Sequence, residues 1–195
     1  IVTNGSVSGF AGTGTTYTFN VTPSGAGNIS IAINAAVAQD IAGNDNTAAT
    51  TISVIYDATP PTVALSTPAP NPTNAPFTVT VTFSEDVSNF VVGDIAVANA
   101  TLSAFTNTTA NKVWTVLVTP TGAAVTLDIA AGVAKDVAGN NNTAATQLAR
   151  TYDATPPGVV LSTPATNPTN APFTVTITFD EDVNNFAVGD ITVAN

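Results

Sequence analysis

The chain has 195 residues, of which 44% are hydrophobic and only 8% are charged, and its net charge is −10. With three basic residues against thirteen acidic ones, it lacks the clustered Lys and Arg that bind nucleic acid or anionic membrane surfaces. The sequence contains no Cys and no His, which excludes disulfides and removes the commonest general base of enzymes. We therefore expect no catalysis and no nucleic-acid partner, and we expect divalent cations as counterions.

A hexapeptide, Tyr-Asp-Ala-Thr-Pro-Pro, occurs at residues 56–61 and again at 152–157, a spacing of 152 − 56 = 96 residues. A period of this length is too long for a solenoid turn and fits one small all-β domain. Residues 1–55 match residues 96–151 and form the C-terminal part of a repeat. Residues 56–151 form a complete repeat, and residues 152–195 form the N-terminal part of the next. We expect neighbouring residues of a longer chain, rather than other chains, to complete the two partial repeats.

Period-2 alternation predicts the strands of the complete repeat. Phe77 to Phe83 alternates apolar residues with Thr, and residues 173–179 repeat it with Ile177 in place of Val81. Further strands are predicted at residues 62–65, 95–99, 101–105, 114–118, 125–129 and 146–152.

Two other stretches of the repeat do not follow the strand pattern. Residues 71–76 contain two prolines, which predicts a loop that stops edge pairing, and residues 167–172 repeat them. A single helical turn is predicted at residues 130–135 and at the equivalent residues 35–39.

About seven short antiparallel strands in 96 residues, each with one apolar face, predict a two-sheet sandwich. The fold class is therefore all-β, with tandem immunoglobulin-like sandwiches arranged end to end. The paired prolines at residues 60–61 and 156–157 fix φ at two successive positions, so they limit bending between repeats.

The succession YDATPPTV, FTVTVTFSEDV, VGDI and DVAGNNNTAA resembles the immunoglobulin-like repeats of giant bacterial surface adhesins. The resemblance covers the full chain. It implies a secreted protein of the bacterial cell surface, in which many modules form a stalk that holds a binding region away from the cell. Related stalks often use calcium to stiffen the joints between modules.

The acidic residues recur at fixed positions, and alternating strand directions should bring several of them to one pole of the sandwich, beside the preceding repeat. Calcium takes six to eight oxygen ligands, which carboxylates, Asn side chains and backbone carbonyls supply. The possible ligands at such junctions are Asp57, Glu85, Asp86, Asp136, Asp153, Glu181 and Asp182. The alternative is that these residues only stabilise turns, since Asp-x-Ala-Gly-Asn is good turn chemistry without a metal.

These features favour a structural module of a stalk or filament, with adjacent repeats of the same chain as its partners and lateral contacts to other copies as a further option. A surface receptor or glycan would be bound by other domains. Two alternatives remain open: a carbohydrate- or ligand-binding accessory module of a secreted protein, and a fibre subunit that exchanges strands. An exposed aromatic platform would favour the binding module, and an inward-facing aromatic set would favour the stalk.

Overall fold

The computed structural model describes residues 1–194, which are almost entirely β-structure. The chain divides into two compact units, Ile1–Tyr152 and Asp153–Asn195. Among the described residues, no helix has the length and apolar composition needed to cross a membrane.

The first five strands lie before the first hexapeptide, except that the fifth ends on its first residue, Tyr56. They are β1 (Val2–Thr3), β2 (Gly5–Thr13), β3 (Thr16–Pro23), β4 (Gly27–Ile31) and β5 (Ile52–Tyr56). Strands β1, β4 and β5 form one antiparallel sheet, and β2 pairs with β3 in another.

The complete repeat contributes seven strands. They are β6 (Val63–Ser66), β7 (Phe77–Phe83), β8 (Ile95–Ala98), β9 (Ala100–Thr109), β10 (Val113–Pro120), β11 (Ala124–Ile129) and β12 (Leu148–Thr151). One sheet has the order β6-β7-β10-β9 and the other β12-β11-β8. Lettered A to G along the chain, these are the ABED and CFG sheets of a seven-stranded immunoglobulin-type sandwich. The predicted all-β, immunoglobulin-like sandwich is confirmed in this repeat, and the end-to-end arrangement of several such sandwiches stays a prediction.

The core lies between these two sheets. The odd positions from Phe77 to Phe83 are buried, as the alternation with Thr predicts. They pack against the inward side chains of β10 and β11, such as Val116 and Leu127. Trp114 is 5% exposed, and its ring meets those of Phe83 and Phe90 edge-on at 5.5 and 5.1 Å. This aromatic cluster fills one end of the core.

The second unit contains β13 (Val159–Ser162) and β14 (Thr176–Phe179), which pair antiparallel, and a 3₁₀ turn at Val188–Asp190. A matching 3₁₀ turn lies at Val92–Asp94 in the complete repeat. The strand predicted for residues 173–179 is therefore shorter than expected. In the complete repeat, residues 77–79 pair only with β10, and among residues 153–194 no equivalent of β10 is present.

Two predictions about the connections are wrong. Residues 130–135 form a turn and not a helical turn, because Gly132 has φ +81° and its N–H donates to the carbonyl of Asn142 at 3.0 Å. The loop at residues 71–76 does pair: Thr73 forms a parallel bridge with Tyr152, and its N–H donates to the carbonyl of Thr151 at 2.9 Å. This loop therefore holds the end of the last strand.

Candidate metal centre

Three carboxylates meet at one pole of the complete repeat. Asp57 directly follows β5, Glu85 follows β7, and Asp136 lies in the connection between β11 and β12. One carboxylate oxygen of each lies within 4.8 Å of the others. Because β6 starts where β7 ends, and β11 ends there too, three distant parts of the sequence converge at this pole.

The loop that carries Asp136 is tied to the linker through Asn140. Asn140 donates to both carboxylate oxygens of Asp136, from its backbone N–H and its Nδ2, each at 2.8 Å. The same Nδ2 donates to the backbone carbonyl of Asp57 at 3.1 Å. Gly139 takes φ +93°, a conformation that a residue with Cβ rarely adopts, and this closes the turn. Through these bonds, all of which lie within the protein, the loop anchors the linker.

Glu85 and Asp136, two members of the acidic cluster, have pKa values that are shifted in opposite directions. Burial, together with the negative charges of Asp136 and Asp57, raises the pKa of Glu85. Burial also acts to raise the pKa of Asp136, but the hydrogen bonds from Asn140, Gly139 and Ala138 outweigh it, and the pKa lies below its usual value. The surroundings of Glu85 therefore destabilise its ionised form.

The cluster meets part of what calcium requires. Calcium binds oxygens at about 2.3–2.6 Å, so two ligands on opposite sides of one ion lie roughly 4.6–5.2 Å apart. The observed limit of 4.8 Å between carboxylate oxygens is compatible with this spacing. Three carboxylates supply three to six of the six to eight oxygen ligands that calcium takes. The carboxylate of Asp57 also accepts a hydrogen bond from the N–H of Thr59 at 2.9 Å.

The other predicted ligands lie outside the cluster. Asp86 is next to Glu85 and borders a shallow depression that Asp136 also lines. Asp153 accepts from the N–H of Thr155 at 3.0 Å, the same turn that Asp57 forms. Glu181 and Asp182 follow β14 and are exposed. Within the described part of the second unit, no group of three acidic residues converges, since the loop equivalent to that of Asp136 is not among residues 153–194.

Residues 1–55 contain a loop equivalent to that of Asp136, and it shows that the turn does not require the acidic cluster. Asp40 accepts from Asn44 through both its backbone N–H and its Nδ2, each at 2.9 Å. Hydrogen bonds from the side chain and backbone of Asn44 lower the pKa of Asp40. The Asp-x-Ala-Gly-Asn turn therefore forms in the same way around Asp40, which belongs to no group of three acidic residues among the described residues.

Sequence reasoning missed Asn142, which is 2% exposed. Its Oδ1 accepts from the N–H of Ala134 at 2.8 Å, and its Nδ2 donates to the carbonyls of Ala130 and Thr143 at 3.0 and 2.8 Å. Asn46 makes the corresponding bonds in the first repeat. The sequence did contain one indication of this role, because an Asn recurs six residues after Asp40 and six residues after Asp136.

A comparison with protein families matched residues 57–152 to the model described as a bacterial Ig-like domain. No match was found among curated proteins or among solved structures. The matched range begins at the linker residue Asp57 and ends at Tyr152, directly after β12.

Proposed function

Because residues 57–152 form a bacterial Ig-like domain, we propose that the chain is a stalk segment of a large secreted bacterial surface adhesin. In this proposal the segment has no catalytic role. It spaces and projects a binding region located elsewhere in the protein, outside the bacterial cell. Its partners are the adjacent repeats of the same chain.

The proposal rests on how the two ends of the complete repeat are held. The entering linker is held at Asp57 by Asn140, at the pole where β7 ends. The departing strand is held at the opposite pole, where Thr151 N–H donates to Asn71 Oδ1 at 2.8 Å and Tyr152 N–H donates to the carbonyl of Ala123 at 2.7 Å. A chain that enters at one pole and leaves at the other, with both ends fixed, suits load transmission along a row of modules.

The aromatic side chains of the complete repeat also favour the stalk over a carbohydrate-binding module. Phe77, Phe83, Phe90 and Trp114 are all buried. Phe105 packs against Phe90, with ring centroids 5.8 Å apart, at the edge of this cluster. Sugar binding by stacking needs exposed rings, whereas these five rings belong to the core or its edge; Tyr56, at the start of the repeat, is 38% exposed.

We further propose that calcium stiffens the junction by binding at Asp57, Glu85 and Asp136. Three like charges held within 4.8 Å repel one another, and a divalent cation would remove that cost. Since Asp57 belongs to the linker and the other two residues to the module, an ion shared among them would restrain the linker. Without calcium, the Asn140 bond alone would hold it.

The stalk proposal is tested by small-angle X-ray scattering on chains with three, four and five complete repeats. We expect the maximum dimension to grow by a constant increment per repeat. That increment should exceed roughly 25 Å, since strands of about eight residues rise about 3.4 Å per residue. Chains that stay compact as repeats are added would overturn the proposal, and specific binding to a glycan array by the complete repeat would favour the accessory module instead.

A further inference from the structure

The complete repeat has four edge strands, and three of them carry features that discourage pairing with another chain. β6, β8 and β12 have only four residues each. Prolines lie on both sides of β6, and β12 carries Arg150 directly opposite the buried Val125, so that its charge is on the inward face. Short length, nearby proline and inward-pointing charge are means by which proteins keep sheet edges from pairing.

The fourth edge strand, β9, has none of these features. It has ten residues, and residues 99–111 contain neither proline nor a charged side chain. Among the described residues, β9 pairs only with β10, so its other edge has no neighbouring strand. Because the whole chain has a net charge of −10, two copies repel each other except where their surfaces carry no charge. The edge of β9 offers such an uncharged strip.

The hydrogen-bonding pattern shows which backbone groups of β9 point away from β10. The N–H of Thr121 donates to the carbonyl of Asn99 at 2.8 Å, and β9 keeps this register against β10 as far as Ser103. In an antiparallel pair, residues that bond to the neighbouring strand alternate with residues that do not. Ala100 and Leu102 therefore direct their N–H and C=O groups outward, where a further strand would bond to them.

The regular part of this edge is bounded on both sides. Asn99 has φ +55°, at the corner between β8 and β9, and Ala104 has φ +49°. The register of β9 against β10 shifts between Ser103 and Thr106. A bulge of this kind bends a strand and interrupts regular pairing. The regular segment is therefore residues 99–103, and its central residue, Thr101, has an exposed side chain.

We propose that this edge binds the same edge of a second copy of the chain, antiparallel, about a two-fold axis beside Thr101. Ala100 of each copy then lies opposite Leu102 of the other, so all the outward groups of the segment are paired. A register shifted by two residues would place one of them opposite the bulge at Ala104 or beyond the corner at Asn99. A two-fold contact needs only one self-complementary surface, which this edge supplies. The proposal goes beyond the stalk function and does not depend on it.

The register can be tested by disulfide trapping, because the 195-residue chain contains no Cys. In the proposed dimer the two copies of residue 101 lie directly opposite, with Cβ atoms about 4.5–5.5 Å apart. Ser103→Cys is the matched control for Thr101→Cys, since Ser103 is also exposed and lies on the same face of β9. The two copies of residue 103 would lie four positions apart along the strands, or roughly 13 Å. On oxidation with copper phenanthroline, we expect Thr101→Cys to dimerise about tenfold faster or more, because only its geometry permits a disulfide.

Pairing without a cross-link is measured by amide hydrogen exchange of the parent chain over a range of concentrations. The amides of Ala100 and Leu102 should exchange more slowly as the concentration rises, by about threefold or more, because they gain partners only in the dimer. The amides of Thr101 and Ser103 bond to β10 in every copy, so their exchange should not depend on concentration.

Thr101→Lys should abolish this concentration dependence, since it places two like charges opposite each other at the two-fold axis. Ser103→Lys has the same net charge without that opposition, and it should retain the dependence. Trp114 fluorescence verifies that the repeat stays folded in both variants. Equal trapping rates for residues 101 and 103, or exchange at Ala100 and Leu102 that is independent of concentration, would overturn the proposal. Protection that appears only with an added foreign peptide would assign the edge to a different partner and would overturn it too.

Discussion

Asn140 donates a hydrogen bond to the backbone carbonyl of Asp57, 83 residues earlier in the chain, at 3.1 Å. This bond joins the loop before the last strand to the linker before the first one. The same side chain also fixes Asp136, which shares a cluster with Glu85 and Asp57. One amide therefore couples the fold of the loop, the position of the linker and the geometry of the acidic cluster.

Replacing Asn140 with Ala should destabilise the complete repeat. The change removes the bonds from Nδ2 to Asp57 and Asp136 and leaves a partly buried carbonyl without its donor. We expect the free energy of unfolding to fall by about 1–3 kcal/mol. The measurement is chemical denaturation followed by fluorescence of Trp114, the single Trp of the chain, which lies in the core of this repeat.

Asn44→Ala is the matched control, since Asn44 makes the same bonds to Asp40 in the first repeat. That substitution should leave the Trp114 transition unchanged. If Asn140→Ala also leaves the transition unchanged, the loop does not stabilise the linker as inferred.

Glu85→Gln should stabilise the complete repeat at neutral pH. The pKa of Glu85 is raised in the folded state, so the folded chain holds this proton to a higher pH than the unfolded chain does. Its contribution to stability is therefore present below the ordinary Glu pKa and is lost as pH rises through the raised value. The variant should be more stable than the parent at pH 7, by a few tenths to about 1 kcal/mol.

The pH profile distinguishes this cause from a packing effect. The advantage of Glu85→Gln should shrink when unfolding is measured below about pH 4, where Glu is protonated in both states. Glu181→Gln, at the equivalent position of the second unit, is the control and should show no such profile in the Trp114 signal. An advantage that is independent of pH would contradict the electrostatic account.

Much of the fold could be predicted from the sequence because its strands are strongly periodic. The alternation from Phe77 to Phe83 indicates both the strand and its buried face, and the repeat indicates where that strand returns. The convergence of Asp57, Glu85 and Asp136 also follows from counting strand directions. Those inferences need only local pattern and antiparallel topology.

The connections were harder to predict because their partners are distant in sequence. The composition of residues 71–76 is typical of an ordinary loop. Its hydrogen bond with Thr151 joins residues that are 80 positions apart in the sequence, so no local pattern indicates it. Asn142 looks like one of many polar loop residues, yet its three bonds are made inside the fold. Asp86 adjoins Glu85 but lies outside the carboxylate cluster, because neighbours at a strand end project in different directions.

Calcium should raise the melting temperature of the complete repeat if the acidic cluster binds it. An ion that binds only the folded state stabilises it by about 2.7 kcal/mol at a concentration 100 times its Kd. The melting temperature is measured by Trp114 fluorescence after treatment with EDTA, and again after excess calcium is added. The triple variant with Asp57→Asn, Glu85→Gln and Asp136→Asn should lose the response. Equal melting temperatures with and without calcium in the parent chain would contradict calcium binding, and the acidic residues would then only stabilise turns.

Asn142→Ala should be the most damaging of these substitutions, because the residue is almost fully buried. It leaves the N–H of Ala134 and the carbonyls of Ala130 and Thr143 without partners, and it opens a small cavity. A buried polar group that loses its partner costs about 1–3 kcal/mol, so we expect a total loss of roughly 2–4 kcal/mol. For a domain of about 100 residues, this lowers the melting temperature by roughly 10–25 °C.

The equivalent change in the first repeat tests whether burial is the cause. Asn46 donates to the carbonyls of Asn34 and Thr47 and accepts from Ala38, but it lies in the partial repeat. Asn46→Ala should therefore leave the Trp114 transition in place, whereas Asn142→Ala shifts it. Asn142→Asp adds a second comparison: it retains the acceptor for Ala134 but loses both donated bonds, so its stability should also fall below that of the parent at neutral pH. If Asn142→Ala unfolds at the parent's denaturant midpoint, the bonds of Asn142 contribute nothing net, and the loop must be held by Asp136 and Asn140 alone.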